Sequence, residues 1–348
     1  MASRTNGRVR PSLGLIGLLL VLNTISAQQN PPAAYAGSVK VSYVRTWDAV
    51  KPTTDTTGLT LTADPTSSRM TSQYFDGFGR PIQTVVKKGS LVTTTGTFID
   101  QVSAATYDEL GRESYNYLPF AANNTGGNAS ISDGLFKLNP FQQQAAFYAS
   151  SNTNGPLYGQ NQTYFYGNTK LEASPLNRPL ETYAPGNSWA GTSGQTSEDN
   201  RRAVKMKYWL NTSTDSVRKW IVTNVANGWG VYSTPGTFAS CQLVKTIIVD
   251  EHGKQVVEYK DKQGKVLLKK VQFTAAADTG TGKGYNGWLA TYYVYDSLNN
   301  LRCVIQPEGV KALAANGWSL NTTLLDEQCF RYEYDYRNRM IRKKVPGA

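Results

Sequence analysis

The sequence predicts an all-β protein, built from irregular antiparallel hairpins that stack into a curved sheet or shell segment, with two short helices. Three observations predict this class. Aromatic residues are frequent, with 21 Tyr, 11 Phe and 7 Trp among 348 residues, and aromatic and β-branched residues favour strands. One turn pattern recurs along the chain. Helix start and stop signals occur in only two short segments.

The recurring turn consists of Asp, two variable residues, Gly or Asn, and then Arg, Lys or Asn. The composition of the chain gives about half a match by chance, whereas six copies occur, so the pattern is a repeat. A seventh copy has Ser174 in place of Asp. The repeat-turn residues are Asp76, Gly79, Arg80, Asp108, Gly111, Arg112, Asp250, Gly253, Asp261, Gly264, Asp296, Asn299, Asp335 and Asn338. We interpret them as structural positions of hairpin turns.

The chemistry of each position explains the pattern. An Asp at the first position accepts hydrogen bonds from backbone N–H groups further along the turn. The fourth residue adopts a positive φ, which Gly and Asn tolerate best. Strand-like segments flank each turn, and the Tyr that often precedes the Asp is predicted to stack in a ladder along one sheet face. Because one hairpin cannot bury its own face, neighbouring hairpins must stack.

Two segments carry helix signals. Asn139 is a predicted N-cap, and Pro140 occupies the first helical turn of a segment that continues to Tyr148. The second segment begins at Pro307 and is ended by Gly317.

The first 27 residues have the order of a secretory signal peptide. A basic start leads into an apolar run from Leu13 to Ile25, which ends in the small residues Ser26 and Ala27. The run is too short to span a bilayer, so we expect cleavage after Ala27 and no transmembrane helix in the mature chain. The expected location is exported, either secreted or at the cell surface. We expect a lead-in at residues 28–69, an N-terminal β-rich domain at 70–240, and repeat hairpins at 241–348.

Charge and cysteine content limit the partners. Cleavage removes three of the 36 basic residues and none of the 25 acidic ones, which leaves 33 − 25 = +8. An exported chain with scattered charges is not expected to bind nucleic acid. Three cysteines, Cys241, Cys303 and Cys329, can close at most one pair, and whether Cys303 and Cys329 pair stays open.

No catalytic, cofactor or metal site is expected, so the chain is predicted not to be an enzyme. The single histidine, His252, occupies a turn position that varies freely among the repeats. Asp278, in Asp-Thr-Gly-Thr, matches the loop of aspartic proteases, which needs a second copy that the chain lacks. An aspartic protease fragment using Asp278 is nevertheless one alternative. The other alternative is a surface adhesin that binds cell-surface glycans through loop tryptophans: Trp189, Trp209, Trp220, Trp229, Trp288 and Trp318.

The Tyr-Asp-x-x-Gly-Arg hairpins resemble the RHS/YD repeats of bacterial surface and toxin proteins. Most of residues 70–348 resembles the N-terminal domain of unknown function that precedes such repeats in secreted YD-repeat proteins, and then the first repeats. The matching segments are 74–83, 115–120, 174–178, 184–186, 260–269, 292–296 and 301–308. One departure is Asn299-Asn300, where the family has Gly followed by Asn or Arg, and another is the irregular repeat spacing.

The resemblance implies strands that spiral into a hollow shell, often around a toxin or effector. We therefore expect a non-catalytic segment that caps or starts a β-shell carrying or displaying a distal module. The expected partners are downstream YD-repeat segments or a cargo module of a longer protein, and no cofactor is expected.

Overall fold

The computed structural model describes residues 31–348 except 53, 55, 56, 58, 62–65, 93–95, 190–201, 226–227 and 277–285. The predicted signal peptide and Asp278 lie outside the described residues. The described residues form antiparallel sheets with three short α-helices, which confirms the all-β class. None of the described helices has the length and hydropathy needed to cross a membrane.

A five-stranded sheet forms first along the chain. Its strands are β1 (Ser42–Ala49), β2 (Ser68–Phe75), β3 (Pro81–Val92), β4 (Thr97–Ala104) and β6 (Phe120–Ala121), in the spatial order β1-β2-β3-β4-β6. The strand β1 lies within the expected lead-in and pairs with β2 along its whole length. Alternate residues of β2 are buried, as expected for a strand with one face on a core. That core contains Tyr74, Ile82, Val85, Val102, Phe120 and Ala122.

An eleven-stranded sheet contains most of the remaining strands. These are β5 (Tyr115–Tyr117), β7 (Tyr166–Leu171), β8 (Pro179–Tyr183), β9 (Val204–Leu210), β12 (Val244–Val249), β13 (Gln255–Lys260), β14 (Val266–Gln272), β15 (Trp288–Tyr295), β16 (Leu301–Ile305), β17 (Cys329–Tyr334) and β18 (Met340–Lys344). Their order is β18-β17-β16-β15-β14-β13-β12-β9-β8-β7-β5, so the strands are neighbours in nearly their chain order. The sheet includes strands on both sides of the expected boundary between residues 240 and 241, since β9 pairs with β12.

A two-stranded ribbon and two helices cover one face of the large sheet. The ribbon consists of β10 (Arg218–Thr223) and β11 (Val231–Thr237), and the helices are α2 (Pro307–Ala315) and α3 (Thr322–Gln328). Beneath them lies the largest apolar cluster, which includes Tyr259, Leu268, Trp288, Tyr292, Ile305 and Leu313. The ribbon is also pinned by a hydrogen bond of 3.1 Å from the Tyr232 hydroxyl to the Arg302 carbonyl oxygen.

Two helices were predicted, and the described residues form three. α1 (Pro140–Tyr148) and α2 begin and end close to the predicted limits. α3 was missed, because seven residues are too few to show a helical period. It is held by the Asn321 side chain, which accepts a hydrogen bond of 2.8 Å from the Leu324 N–H.

Asn139 precedes α1 as predicted, but its side chain does not cap the helix. It donates to the Thr125 carbonyl oxygen at 2.8 Å instead, and accepts from the Gln143 amide at 2.7 Å.

Candidate functional site: a row of hairpin turns

The six Asp turns have one hydrogen-bonding pattern. In the first copy, the Asp76 N–H donates to the Arg80 carbonyl oxygen at 2.9 Å, and the Gly79 N–H donates to the Asp76 carbonyl oxygen at 3.1 Å. Asp76 Oδ1 accepts from the N–H groups of Phe78 and Arg80, both at 2.9 Å. The same four bonds recur in the turns that begin at Asp108, Asp250, Asp261, Asp296 and Asp335.

The fourth residue of every copy has a positive φ. The angles are 77° at Gly79, 76° at Gly111, 50° at Asn177, 81° at Gly253, 83° at Gly264, 67° at Asn299 and 59° at Asn338. This is the left-handed region, where a residue other than Gly or Asn is strained. The backbone therefore explains the restriction of this position to two residue types.

In four turns a basic fifth residue, Arg80, Arg112, Lys265 or Arg339, pairs with the Asp of its own turn. The distances between charged atoms are 2.7 Å for Arg80 with Asp76, 2.8 Å for Arg112 with Asp108, and 2.7 Å for Arg339 with Asp335. Backbone N–H groups and these guanidinium groups hold the pKa of Asp76, Asp108 and Asp335 below the usual value. The turns therefore favour the ionised form of these Asp side chains.

Two exceptions use residues that the pattern does not include. The Ser174 turn recruits Glu172, whose carboxylate pairs with Arg178 at 2.8 Å. Hydrogen bonds from Arg178 and Ser174 lower the pKa of Glu172 to about 2. The Asp296 turn has Asn300 at its fifth position, and Arg302 pairs with Asp296 at 3.3 Å instead. Glu172 and Arg302 could not be found from the repeat, since both lie outside the five-residue pattern.

Six of the seven described turns lie at one edge of the sheets, as the direction and pairing of the flanking strands show. The turns at 76–80 and 108–112 flank the paired ends of β3 and β4. The turns at 174–178, 261–265, 296–300 and 335–339 lie at one edge of the large sheet, and the turn at 250–254 lies at the opposite edge. We call the six turns at the shared edge the turn row.

Within the turn row, the fifth residue of one turn meets the fourth residue of the next. Arg112 Nη1 donates to Asn177 Oδ1 at 3.3 Å and to the Glu172 carbonyl oxygen at 3.2 Å. One turn earlier, a Cβ added at Gly111 would lie 3.0 Å from Arg80 Nη1. The glycine thus leaves room for the arginine of the preceding hairpin.

The same contact recurs at the far end of the large sheet. The Lys265 ammonium donates to Asn299 Oδ1, and Asn300 Nδ2 donates to Asn338 Oδ1 at 3.1 Å. Three consecutive hairpins are therefore joined through the side chains of their turns. At these places, the Arg, Lys or Asn at the fifth position of one turn contacts the Gly or Asn at the fourth position of the next turn.

The tyrosine that precedes a turn packs against a cation rather than against another turn tyrosine. The Arg80 guanidinium lies 4.5 Å from the centre of the Tyr107 ring, and the Lys265 ammonium lies 5.3 Å from that of Tyr295. These are cation–π contacts between successive turns. At these positions, the expected stack of tyrosine rings is replaced by rings that alternate with cationic side chains.

The turn row is interrupted between Arg178 and Asp261. The Arg178 guanidinium lies 4.4 Å from the Tyr208 ring centre on β9. After β9 the chain leaves the edge for the β10–β11 ribbon and returns at β12. A capped turn directly after β9 begins this excursion, and its Asp215 Oδ1 accepts from Lys245 at 2.7 Å and from the Tyr259 hydroxyl at 2.8 Å.

The other candidate residues lie apart from the turn row. His252 is exposed in the turn at the opposite edge. Among the described residues, no three His, Cys, Asp or Glu side chains are grouped to hold a metal ion. Cys303 and Cys329 are buried, free thiols. A hydrogen bond with Cys329, together with burial, raises the pKa of the Cys303 thiol.

The six tryptophans named above occupy different environments. Trp288, Trp220 and Trp318 belong to the large core or pack against it. Trp229 lies between two guanidinium groups, 5.3 Å from Arg331 and 5.0 Å from Arg342. Trp209 on β9 is 53% exposed. Trp189 is half-buried, with the Arg202 guanidinium 5.4 Å from its ring centre.

A family model described as a domain of unknown function, DUF6443, matches residues 45–203. No curated protein matches the chain.

The chain is similar to parts of larger solved structures. The crystal structure of TcdB2-TccC3-Cdc42 gives a TM-score of 0.43 at 13% identity over 80% of this chain and 10% of that one. The crystal structure of TcdB2-TccC3 gives 0.42 at 12% identity over 79% and 10%. The Photorhabdus luminescens Tc holotoxin pore gives 0.39 at 13% identity over 80% and 11%. The chain spans about a tenth of the length of these chains.

Proposed function

We propose that this chain is a non-catalytic structural segment of an exported RHS/YD-repeat protein. It starts or caps a β-shell, and a distal module is carried or displayed by the repeats that join it. The turn row is the observation that carries this proposal. Its contacts join one hairpin to the next with the same two turn positions, which is the arrangement that lets further hairpins be added in register.

The edge strand β18 is the surface where a further repeat would add. It is the outermost strand of the large sheet, and Met340 and Ile341 are 55% and 56% exposed. The Arg339 side chain, in the position that meets the next turn elsewhere in the turn row, is 68% exposed. An added hairpin would pair with β18 and place a Gly or Asn beside Arg339, as Asn177 lies beside Arg112.

Hydrogen exchange at β18 tests the proposal. The chain is extended after Ala348 by a second copy of residues 288–345, and the control extension is a Gly/Ser segment of equal length. We expect exchange of residues 340–345 to slow in the repeat extension alone, because strand pairing protects backbone N–H groups. Equal exchange in both proteins would contradict the proposal. It would favour the rival role of Arg342, Lys343 and Lys344, which is to keep this edge from pairing.

Export is tested separately. Cleavage after Ala27 gives a mature chain that begins at Gln28, and N-terminal analysis of the secreted protein identifies this residue. An intact Met1 or Ala2 on most molecules would contradict cleavage.

A further inference from the structure

A fully buried lysine contacts two carboxylates beside the five-stranded sheet. Lys137 Nζ lies 2.7 Å from Asp100 Oδ2 and 2.9 Å from Asp133 Oδ1. The side chains of Lys137 and Asp100 are both 0% exposed, whereas that of Asp133 is 35% exposed. A buried ammonium and carboxylate lose their hydration, so such a pair is costly unless every partner is well placed.

Backbone groups fix the Asp100 carboxylate. Its Oδ1 accepts from the Lys88 N–H at 2.9 Å, and its Oδ2 accepts from the Gly134 N–H at 2.8 Å. The Gly134 carbonyl oxygen accepts from the Tyr74 hydroxyl at 3.3 Å. The carboxylate therefore has one orientation, with Oδ2 directed at the lysine.

The backbone of Lys137 is fixed as well. Gln83 accepts from the Lys137 N–H at 2.7 Å and donates to the Lys137 carbonyl oxygen at 3.0 Å. Gln83 is buried on β3, and Asp100 lies on the adjacent β4. The amine and the carboxyl carbon are thus held together by the sheet itself, which is the positioning that makes an intramolecular reaction fast.

We propose that Lys137 and Asp100 condense to an intramolecular isopeptide bond, with Asp133 as the proton-transfer residue. The bond formed joins Lys137 Nζ to Asp100 Cγ, and the bond broken joins Asp100 Cγ to Oδ2. The ammonium and the carboxylate become an amide and one water molecule. Two of the three ammonium protons leave with Oδ2 as water, and the third stays on the amide nitrogen, so no oxidant or co-reactant is required.

Asp133 has the placement that this proton transfer needs. Its carboxylate accepts a proton from Lys137 Nζ and passes it to Asp100 Oδ2, which leaves a neutral amine to attack the Cγ of a neutral carboxyl group. The Lys88 N–H faces Oδ1 and stabilises the negative charge that develops there. Asp133 then carries a second proton from the attacking nitrogen to Oδ2, which departs as water. Burial would by itself raise the pKa of Asp133, but hydrogen bonds, first that from Lys137, keep it low, so the group starts ionised.

Another buried lysine–carboxylate pair among the described residues is an internal control. Lys245 Nζ lies 2.7 Å from Asp215 Oδ1, the same distance as in the first pair. In the described part of the chain, Asp215 is the one carboxylate that pairs with Lys245, and its other neighbours are the Tyr259 hydroxyl and Thr212. Without a second carboxylate to move the proton, this pair is expected to stay ionic.

Peptide mass spectrometry of the purified full chain tests the proposal. We expect a branched peptide that joins the segments around Asp100 and Lys137, lighter by about 18 Da than the sum of the two. Trypsin should not cleave after Lys137, because its amine is an amide. Asp133→Asn should give the two unlinked peptides and normal cleavage at Lys137, and so should Lys137→Arg.

Recovery of the two unlinked peptides from the folded natural chain would overturn the proposal. A loss of one water assigned to any other position would overturn it equally. A branched peptide that forms undiminished in Asp133→Asn would overturn the role of Asp133. Circular dichroism of each variant shows whether it is folded. The branched peptide of the natural chain tests the bond even if a variant fails to fold.

Discussion

The five-stranded sheet and the large sheet bury their inner faces by different means. The large sheet is covered by a ribbon and two helices over a cluster of aromatic and aliphatic side chains. The five-stranded sheet has a smaller apolar cluster, and beside it a polar group formed by Lys137, Asp100 and Gln83. Both sheets have turns of the same repeat pattern at the edge that they share. The repeat therefore specifies the edge of the sheets, while the covering of each face is specified separately.

Truncating the large core is expected to have the largest effect. Leu268→Ala removes a fully buried side chain of β14 and should lower the free energy of unfolding by about 2–5 kcal/mol. Leu298→Ala, at an exposed turn position, should change it by less than about 0.5 kcal/mol. Urea denaturation followed by tryptophan fluorescence measures both. A similar loss for both variants would contradict the assignment of Leu268 to the core.

Valine at the fourth turn position should cost less than core truncation. Gly264→Val forces a β-branched residue to a φ of 83° and should destabilise by about 1–3 kcal/mol. Gly264→Asn should be tolerated, because Asn299 and Asn338 occupy the same position. Gly111→Val should be worse than Gly264→Val, because its side chain also displaces Arg80, whereas a Cβ at Gly264 meets nothing within 4 Å. Equal melting temperatures for the three variants would contradict the turn geometry.

Acid should weaken the turn row through Glu172. Its pKa in the folded chain is about 2, below the ordinary value of 4.5, so the folded state binds this proton less readily than the unfolded state does. The contribution of Glu172 is complete above pH 4.5 and is lost as the pH falls towards 2. Melting temperatures measured across this range should therefore converge for the natural chain and Glu172→Gln. A constant difference between them would contradict the Glu172–Arg178 pairing.

Single contacts between turns should have the smallest effects. Asn338→Gly keeps a residue that tolerates positive φ and removes the acceptor of the Asn300 amide. The loss should be about 0.5–1 kcal/mol, because the bond is exposed to water. A double-mutant cycle with Asn300→Ala isolates the pair. A coupling energy of zero would show that the two turns are neighbours without being joined.

The turns and the fold class were predictable because their causes are local. Asp76 bonds to groups within four residues of itself, and the positive φ of Gly79 is a property of its own backbone. Helices α1 and α2 were predictable for the same reason, since proline and glycine act at the ends of a helix. The third helix, α3, has one local signal, its Asn321 cap, and otherwise depends on the burial of Leu324 in the large core.

The sequence by itself determined the all-β class, the positions of the hairpin turns and the residue types at their fourth position. Only the tertiary structure decided which turns share an edge, because that depends on strand direction and pairing over long separations. Glu172 and Arg302, which complete two of the turns, each lie six residues from their partners, just outside the five-residue pattern. The tertiary structure also decided that Lys137 and Asp100 meet in the interior. These two residues are 37 positions apart, so the energy of their contact appears only when the sheet packs, and a local pattern cannot contain it.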